Sequence, residues 1–448
     1  MSTIKGRIAA IVGLQLFLSA SAQAATRIDP HIYGELHWRQ LGPFRGGWAS
    51  VITGVPDKPN RFYFGAAGGG VWRTDDAGRT WTSVFDKGSS SAIGAIALAP
   101  SNPEIIYIGG GQPEPRYDVE AGRGVYRSSD GGHSWSAIGL ADTRYVGRIW
   151  VSPANPDVVL VAAVGHFFGQ SQDRGIYRSV NGGKSWSHVL SPGEWTGAVD
   201  LASDPLHPRT LFASTWEARQ WPWQSYFTEI SGPGSALYRS DDEGAHWRKM
   251  SGVGWPDGPL GRISIALTRV KGSLRIYANI DSKAHGGLWR SDDAGSHWHR
   301  VNSETAPAGY YASRVVVDPK NPDVVYLVGQ SMRRCDGGGA HCTIFRGSPG
   351  GDDYHQIWIN PLHPDHMAAA SDQGAAVSVN GSKTWSDWYN QPTGQFYHLA
   401  TDNRFPYWIY SGQQDSGTVG IASRSDFGAP NVRDWHPVGG DERDYDIP

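Results

Sequence analysis

A short motif of the form S/T-x-D-x-G-x-x-W recurs along this chain, and no other feature restricts the fold as strongly. Clear copies end at five tryptophans, and a weaker copy follows: Trp81, Trp135, Trp186, Trp247, Trp298 and then Trp385. The first five are spaced about 50 to 60 residues apart, a period typical of propeller blades. The longer last gap contains "QSMRRCDGGGAHC", a degraded copy that ends at Cys342.

A second element precedes each copy. Segments such as "ALAPSNPEIIYIGGG" and "VVVDPKNPDVVYLVGQ" place an Asn-Pro turn between two apolar strands, and a partial eighth unit begins at Leu399. Proline fixes the turn, so each segment reads as a hairpin. Each unit then holds four strands. The sequence predicts an all-β protein, a β-propeller of seven to eight four-stranded blades over residues 25–448.

The acidic position of the motif has a structural role in this interpretation. It is occupied in turn by Asp76, Asp130, Asn181, Asp242, Asp293 and Asn380. Its side-chain oxygen is expected to accept hydrogen bonds from turn amides, glycine provides positive φ, and tryptophan packs on the neighbouring hairpin. Asparagine keeps that oxygen and loses the charge. The substitution therefore argues against an acid, a base or a metal ligand at this position.

The first residues have the pattern of a secretory signal. Lys5 and Arg7 precede the apolar run 8–18, and Ala22-Gln23-Ala24 supplies a cleavage site. We predict a signal peptide over residues 1–24 and a periplasmic or secreted mature protein. No later stretch is long and apolar enough to span a bilayer, so no integral membrane segment is expected.

Charge and cysteine content narrow the function further. The formal net charge is −3, which gives no general attraction to nucleic acid, and no cofactor or metal motif is present. Cys335 and Cys342 flank a glycine-rich turn. In an oxidising compartment they can form a disulfide, and the spacing alone leaves free thiols equally open.

The repeat resembles the Asp-box, or bacterial neuraminidase repeat, of sialidases, sortilin-type receptors and xyloglucan-hydrolase propellers. The resemblance runs from "WRQLGPFRGGWASVI" to "YSGQQDSG", and is strongest to secreted bacterial sortilin-like or glycosyl-hydrolase-like repeat proteins. Such proteins commonly contain two propellers. The resemblance implies that this chain is either the first propeller of such a pair or a ring closed by its own N-terminal segment.

Candidate functional residues lie in four loops that depart from the repeat. We predict a ligand site formed by Arg45, Glu114, Arg116, Asp352, Asp353, His355, Gln414 and Asp415. Glu114, Asp353 and Asp415 are the candidate acid and base of a glycosidase. For Arg45, Asp352, Asp353 and His355, structural roles such as turn capping or buried pairing remain open alternatives.

The first functional hypothesis is an exported sortilin-like propeller that binds a protein, peptide or glycan around its channel. The alternative is a glycoside hydrolase. Where xyloglucan hydrolases carry a catalytic aspartate before the glycines, this chain has Ala66-Ala67-Gly68, and no motif identifies the arginine triad or nucleophilic tyrosine of sialidases. The aromatic segment 215–227 is either a ligand surface or a cap on its own blade.

Overall fold

A computed structural model describes residues 29–34, 36–116, 119–225, 228–303, 313–348, 350–428, 430–440 and 442. The chain divides into two compact units, Met1–Leu41 and Gly42–Pro448. The first unit contains a short 3-10 helix, Pro30–Tyr33, capped by the Asp29 side chain, which accepts a hydrogen bond from the His31 amide. The predicted signal peptide lies outside the described residues.

The second unit is built from antiparallel sheets whose strands follow chain order. The first two sheets are β1 (Ala49–Val55), β2 (Lys58–Ala66), β3 (Val71–Thr74), β4 (Thr82–Ser83) and β5 (Ile93–Ala99), β6 (Asn102–Gly110), β7 (Val125–Ser128), β8 (Ser136–Ala137). After a 3-10 helix at Ala141–Thr143, the next two are β9 (Val146–Val151), β10 (Val159–Ala163), β11 (Gly175–Ser179), β12 (Ser187–Leu190) and β13 (Thr196–Ser203), β14 (Leu211–Glu217), β15 (Leu237–Ser240), β16 (Arg248–Lys249).

The remaining sheets complete the described fold. The fifth and sixth are β17 (Ile263–Val270), β18 (Ser273–Ile280), β19 (Gly287–Ser291), β20 (His299–Asn302) and β21 (Arg314–Val317), β22 (Val325–Val328), β23 (Met332–Asp336), β24 (His341–Arg346). The seventh and eighth are β25 (Tyr354–Ile359), β26 (Met367–Ser371), β27 (Gly374–Ser378) and β28 (Ala400–Thr401), β29 (Trp408–Gln413), β30 (Gly417–Ala422), β31 (Trp435–His436).

Seven of these sheets form a closed ring. The first strands contact one another in the cycle β1, β5, β9, β13, β17, β21, β25 and back to β1. The predicted all-β propeller is therefore confirmed, and its ring has seven blades. The seventh blade has three strands, and Ser386, which follows them, pairs with Val377 of β27 through its backbone amide and its hydroxyl. The eighth sheet is not part of the cycle.

The apolar core lies between neighbouring blades. Val51 and Tyr63 of the first blade share a buried cluster with Ile93, Ile96 and Ile106 of the second. The seam that closes the ring has a different composition: large side chains of the first blade, Phe62, Phe64 and Trp81, pack on the small Ala368, Ala370 and Ala375 of the seventh. Large residues facing small ones fill the space between the two sheets.

The turn motif has the same hydrogen bonding from blade to blade. In the fifth blade, Asp293 Oδ1 accepts from the His297 amide at 2.9 Å and from the Ser291 hydroxyl at 2.9 Å. Burial opposes the charge of Asp293, but these hydrogen bonds outweigh it and lower its pKa to about 2. Asn181 and Asn380 accept equivalent amide hydrogen bonds at 3.0 Å. The charge is therefore dispensable to the turn.

The motif tryptophan packs against the connection that precedes its blade, as Trp298 of the fifth blade illustrates. Trp298 is 6% exposed, and its ring meets Trp255 edge to face at a centroid distance of 4.7 Å. Its indole nitrogen donates to the Gly295 carbonyl at 3.0 Å. Gly295 has φ +92°, a backbone conformation that residues with a Cβ rarely adopt, so the turn favours glycine here.

The sixth blade closes its corresponding hairpin covalently. Cys335 on β23 and Cys342 on β24 face each other across the hairpin and are joined as a disulfide. The intervening turn contains three consecutive glycines with positive φ, at positions 337–339.

Among the described residues, no helix has both the length and the apolar character needed to cross a membrane.

Candidate functional site

The antiparallel order of each blade sorts its connections onto two faces. Turns between the first and second strands and between the third and fourth lie on one face, where the motif aspartates are found. Connections from second to third strand, and from one blade to the next, lie on the opposite face, which we call the upper face. The upper face includes Glu114 and Arg116, between β6 and β7, and Asp352 and Asp353, which directly precede β25.

His355, the second residue of β25, lies in the wall of the channel and is 1% exposed. Its ring stacks on Trp48 at a centroid distance of 4.7 Å and an angle of 12°. The Arg116 guanidinium carbon lies 5.1 Å from the centre of the same Trp48 ring. Burial lowers the pKa of His355 to about 4, despite the opposing charges of Glu114 and Asp353. The imidazole is therefore neutral at pH 7.

A chain of titratable groups runs from His355 outward. Its Nε2 lies 2.6 Å from Asp372 Oδ1, and Asp372, between β26 and β27, is 3% exposed. Because the ring is neutral and its partner is a carboxylate, Nε2 carries the proton and donates a hydrogen bond to Asp372. Asp372 in turn is hydrogen-bonded to Asp415, in the β29–β30 turn of the eighth sheet. The chain joins the seventh blade to the eighth sheet.

Asp415 holds its proton more tightly than an ordinary aspartate. Crowding by surrounding protein, followed by the hydrogen bond and negative charge of Asp372, raises the pKa of Asp415 to about 7, although the residue is exposed. Gln414 donates to Asp415 Oδ2 at 3.1 Å, and the Asp415 amide donates to Glu442 at 2.6 Å. Asp415 is thus an accessible carboxyl group that is about half protonated at neutral pH.

The charges of the His355–Asp372–Asp415 group also act on Asp353. Burial raises the pKa of Asp353 to about 6; His355 and Arg116 oppose the rise, whereas Asp352 and Asp415 add to it. Asp352 is held by Gln373, whose side-chain oxygen accepts from the Asp352 amide at 3.0 Å. Six of the predicted residues therefore lie close enough for their charges to interact: Glu114, Arg116, Asp352, Asp353, His355 and Asp415.

Glu114 is the least accessible of the candidate acids. Its side chain is 2% exposed, and its Oε1 lies 3.9 Å from Arg262 Nη2. Its Oε2 is buried without a hydrogen-bond partner in the described part of the chain. This geometry gives Glu114 an electrostatic role inside the wall, where a substrate has no direct access to it.

Arg45 is committed to holding the eighth sheet. Its Nε donates to Gln413 Oε1 at 2.7 Å, and its Nη2 donates to the carbonyls of Ser416 at 2.5 Å and Gly417 at 3.1 Å. Gln413 returns a hydrogen bond to the Gly46 carbonyl at 2.8 Å. Buried Arg45 therefore stabilises the contact between the loop before β1 and the eighth sheet, and a role for it in ligand binding stays a prediction.

The sequence interpretation missed a second polar group inside the channel. Arg148 of the third blade lies 3.6 Å from Asp200 of the fourth, and Arg314 of the sixth lies 4.0 Å from the same Asp200 oxygen. Arg314 also spans the ring to donate to the Gly147 carbonyl at 3.3 Å. Asp200 and Glu114 offset part of the charge of these two arginines and Arg262. A charged residue within a mainly apolar first strand of a blade was the available signal.

The channel lining contains no metal centre that the structure can identify. Across the described ranges, no three His, Cys, Asp or Glu side chains are arranged to hold a metal ion.

The aromatic segment, residues 215–227, lies on the upper face. Trp216 is buried in β14, and residues 218–225 follow this strand. Tyr226 and Phe227 lie outside the described residues.

Comparison with known proteins gives two kinds of similarity. A family model described as "Sortilin, neurotensin receptor 3" matches residues 69–194. The xyloglucanase Xgh74A of Acetivibrio thermocellus is 23% identical over 371 residues, covering 77% of this chain and 41% of that protein. A xyloglucanase of Hypocrea jecorina is 23% identical over 403 residues, covering 81% of this chain and 42% of that protein. The chain thus spans about two fifths of the length of these curated relatives.

Solved structures support the same fold. The GH74 xyloglucanase of Xanthomonas campestris superposes with a TM-score of 0.61 at 17% identity, over 90% of this chain and 70% of that one. The GH74 enzyme of Niastella koreensis gives a TM-score of 0.60 at 16% identity, over 88% of this chain and 61% of that one. At this identity the likeness establishes the propeller architecture.

Proposed function

We propose that this protein is a glycoside hydrolase that acts on a β-linked polysaccharide of the xyloglucan class, with Asp415 as its general acid. The comparisons favour this alternative over the sortilin-like binding function that we predicted first. The sortilin model matches less than a third of the chain, whereas the xyloglucanase relatives cover about three quarters or more of it. The predicted export would place the protein where polysaccharides occur.

One observation carries the proposal: the chain from His355 through Asp372 to the exposed Asp415. A glycosidase acid must keep its proton at the working pH and release it to the leaving oxygen in the transition state. Asp372, held by neutral His355, supplies the negative charge that keeps the proton on Asp415. Asp415 meets both requirements, since it is accessible and has a pKa of about 7.

Asp353 is the candidate for the second carboxylate. Its pKa of about 6 leaves it mainly ionised at pH 7, and its environment is coupled to that of Asp415. An ionised carboxylate beside a protonated one is the division of roles that glycoside hydrolysis requires. Glu114 is excluded from direct chemistry by its burial, so we assign it a positioning role through Arg262 and His355.

A second candidate function is glycan binding without hydrolysis. Ala66 and Ala67 are each 2% exposed and stand where the resemblance to xyloglucan hydrolases implies a catalytic aspartate. Small apolar side chains can neither transfer a proton nor attack an anomeric carbon. If that position is essential for the reaction, the upper face retains glycan and does not cleave it.

Reducing-sugar release from xyloglucan and from β-glucan tests the hydrolase. Asp415→Asn should lower kcat at least a hundredfold, and Asp353→Asn should do the same, because each removes a proton-transfer group. Asp426→Asn, an exposed aspartate that follows β30, is the matched control and should leave the rate unchanged.

Retention on a xyloglucan affinity gel separates the two candidate functions. Retention without any release of reducing ends would replace hydrolysis by binding. Absence of both retention and hydrolysis would overturn both candidates. Release at an unchanged rate in Asp415→Asn would show that another residue is the acid.

A further inference from the structure

We infer that the connection between β14 and β15 builds a subsite for a neutral oligosaccharide, separate from the carboxyl groups discussed above. The subsite consists of an aromatic shelf, defined as Trp195, Arg219, Trp221 and Trp223, and a cavity beneath it. The inference rests on the proposed function only in taking the ligand to be a glycan. It adds where sugar rings bind and which glycans are excluded.

The shelf is a layered stack with one open surface. The Arg219 guanidinium carbon lies 4.3 Å from the centre of the Trp195 ring and 3.1 Å from that of Trp221, so it contacts both indoles. Trp221 stacks on Trp223 at 5.1 Å with an angle of 28°. Trp223 is 79% exposed. Its indole is therefore accessible to a planar ligand surface.

The base of the shelf is fixed to the body of the propeller. Gln220, which is 1% exposed, donates from its side chain to the carbonyls of Trp221 at 3.1 Å and Gln224 at 2.8 Å. The Gln220 amide donates to Phe167 at 3.0 Å, and the Ala218 amide donates to Trp195 at 3.1 Å. The aromatic groups are therefore held in place before a ligand binds, which reduces the entropy lost on binding.

The base has a second anchor in a buried cation. Arg174 is 0% exposed and donates to the carbonyls of Val164 at 3.0 Å and Ala218 at 3.1 Å, among others. Trp216, also buried, donates its indole N–H to the Ile230 carbonyl at 2.8 Å. These contacts join both ends of the connection to the third and fourth blades.

Beneath the shelf lies a cavity of about 350 Å³, lined by Trp195, Glu217, Arg219, Trp221, Gln224, Glu229, Ile230 and Ser231. Its volume falls at the small end of ligand pockets. Glu217 accepts from the Gly234 amide at 2.8 Å, and Glu229 accepts from the Lys283 amide at 3.0 Å. Each of these hydrogen bonds uses only one carboxylate oxygen. Arg219 Nε is buried with no partner among the described side chains and carbonyls.

The chemistry of the pocket selects neutral sugars. A flat aromatic surface stacks on the C–H face of a pyranose, while carboxylate and guanidinium groups pair with its hydroxyls. Two carboxylates against one guanidinium leave the pocket negative, which disfavours a uronate or sulfated sugar. Protein partners usually cover larger apolar patches, whereas here a single exposed tryptophan borders a polar pocket.

Calorimetric titration of Asp415→Asn protein with a xyloglucan heptasaccharide tests the subsite, because this background separates binding from turnover. We expect binding to weaken at least tenfold in Asp415→Asn/Trp223→Ala and in Asp415→Asn/Glu229→Gln. Phe405→Ala, added to the same background, removes an aromatic side chain that is 90% exposed on the eighth sheet and should leave the affinity unchanged. A tetragalacturonate should bind at least tenfold more weakly than the neutral ligand.

The outcomes separate this inference from the proposed hydrolysis. Unchanged affinity in both shelf variants would overturn the subsite, even if the parent protein hydrolyses xyloglucan. Equal binding of tetragalacturonate would overturn the selection for neutral sugars. Heptasaccharide binding that depends on Trp223 in a protein without hydrolytic activity would support the subsite while refuting the hydrolase. Absence of any binding would overturn the subsite directly.

Discussion

Replacing Asp372 by asparagine tests whether this buried carboxylate sets the proton affinity of Asp415. The substitution keeps an oxygen that can accept the His355 Nε2 hydrogen bond, so it changes the charge and leaves the shape nearly intact. Asp415 titrates near 7, against an ordinary value of 3.8, and Asp372 contributes to that rise through both a hydrogen bond and its charge. Loss of this charge should move the pKa of Asp415 downward.

The size of the effect follows from the titration curve. With a pKa near 7, about nine in ten Asp415 carboxyls carry a proton at pH 6; at the ordinary value fewer than about one in a hundred would. Burial still raises the pKa in the variant, so the loss lies between these limits. At pH 6 we expect hydrolysis to fall by about tenfold or more, and the alkaline limb of kcat/KM to move to lower pH.

The assay combines a pH profile of xyloglucan hydrolysis with a carboxyl ¹³C NMR titration of Asp415, which reads the pKa without any catalytic assumption. Stability offers an independent check with a definite sign. Because the folded state binds this proton more tightly than the unfolded chain, the contribution of Asp415 to stability falls as pH rises from about 4 to 7. Asp372→Asn should flatten that fall. An unchanged NMR midpoint in the variant would refute the assigned role of Asp372.

Two further predictions concern the scaffold. Asp293→Ala should lower the free energy of unfolding by about 1 kcal/mol, because the His297 amide loses its acceptor. Asp293→Asn keeps the acceptor oxygen and should lower it by less than half as much. Urea unfolding measures both losses, and equal losses would contradict the turn-acceptor role. Arg45→Met should remove the hydrogen bonds that hold the eighth sheet, so amide hydrogen exchange should become faster in β29–β31 and stay unchanged in β1–β27. Arg424→Met is the control at an exposed position. Unaltered exchange in β29–β31 would show that Arg45 does not hold this sheet in place.

The sequence was sufficient to predict the blades, because each blade is built from local signals. A motif such as the one ending at Trp298 contains its own turn residues and its own packing group, so its structure depends little on distant parts of the chain. The number of blades in the ring was harder to predict. It depends on which sheet meets the first one, and that is decided by the fit of Ala368 and Ala370 against Phe62 and Phe64, which no local pattern encodes.

The candidate site shows the same division. Glu114, Asp353, His355 and Asp415 were identified because they break the repeat, and the structure brings them together. Asp372 was missed because it occupies a short turn between β26 and β27, where aspartate is common for purely local reasons. Its significance arises only from contact with Asp415, in a different sheet. Long-range pairing of this kind is not visible in one sequence.

The seam between the first and seventh blades also governs the order in which the protein can be completed. The ribosome synthesises β1–β4 long before β26 and β27. Until those strands exist, Phe62, Phe64 and Trp81 lack the seventh blade against which they pack. The nascent chain therefore carries an uncovered apolar face through the synthesis of about 300 residues, a period in which aggregation competes with folding. We therefore expect the pairing of the first and seventh blades, which are far apart in the sequence, to be a slow step of folding.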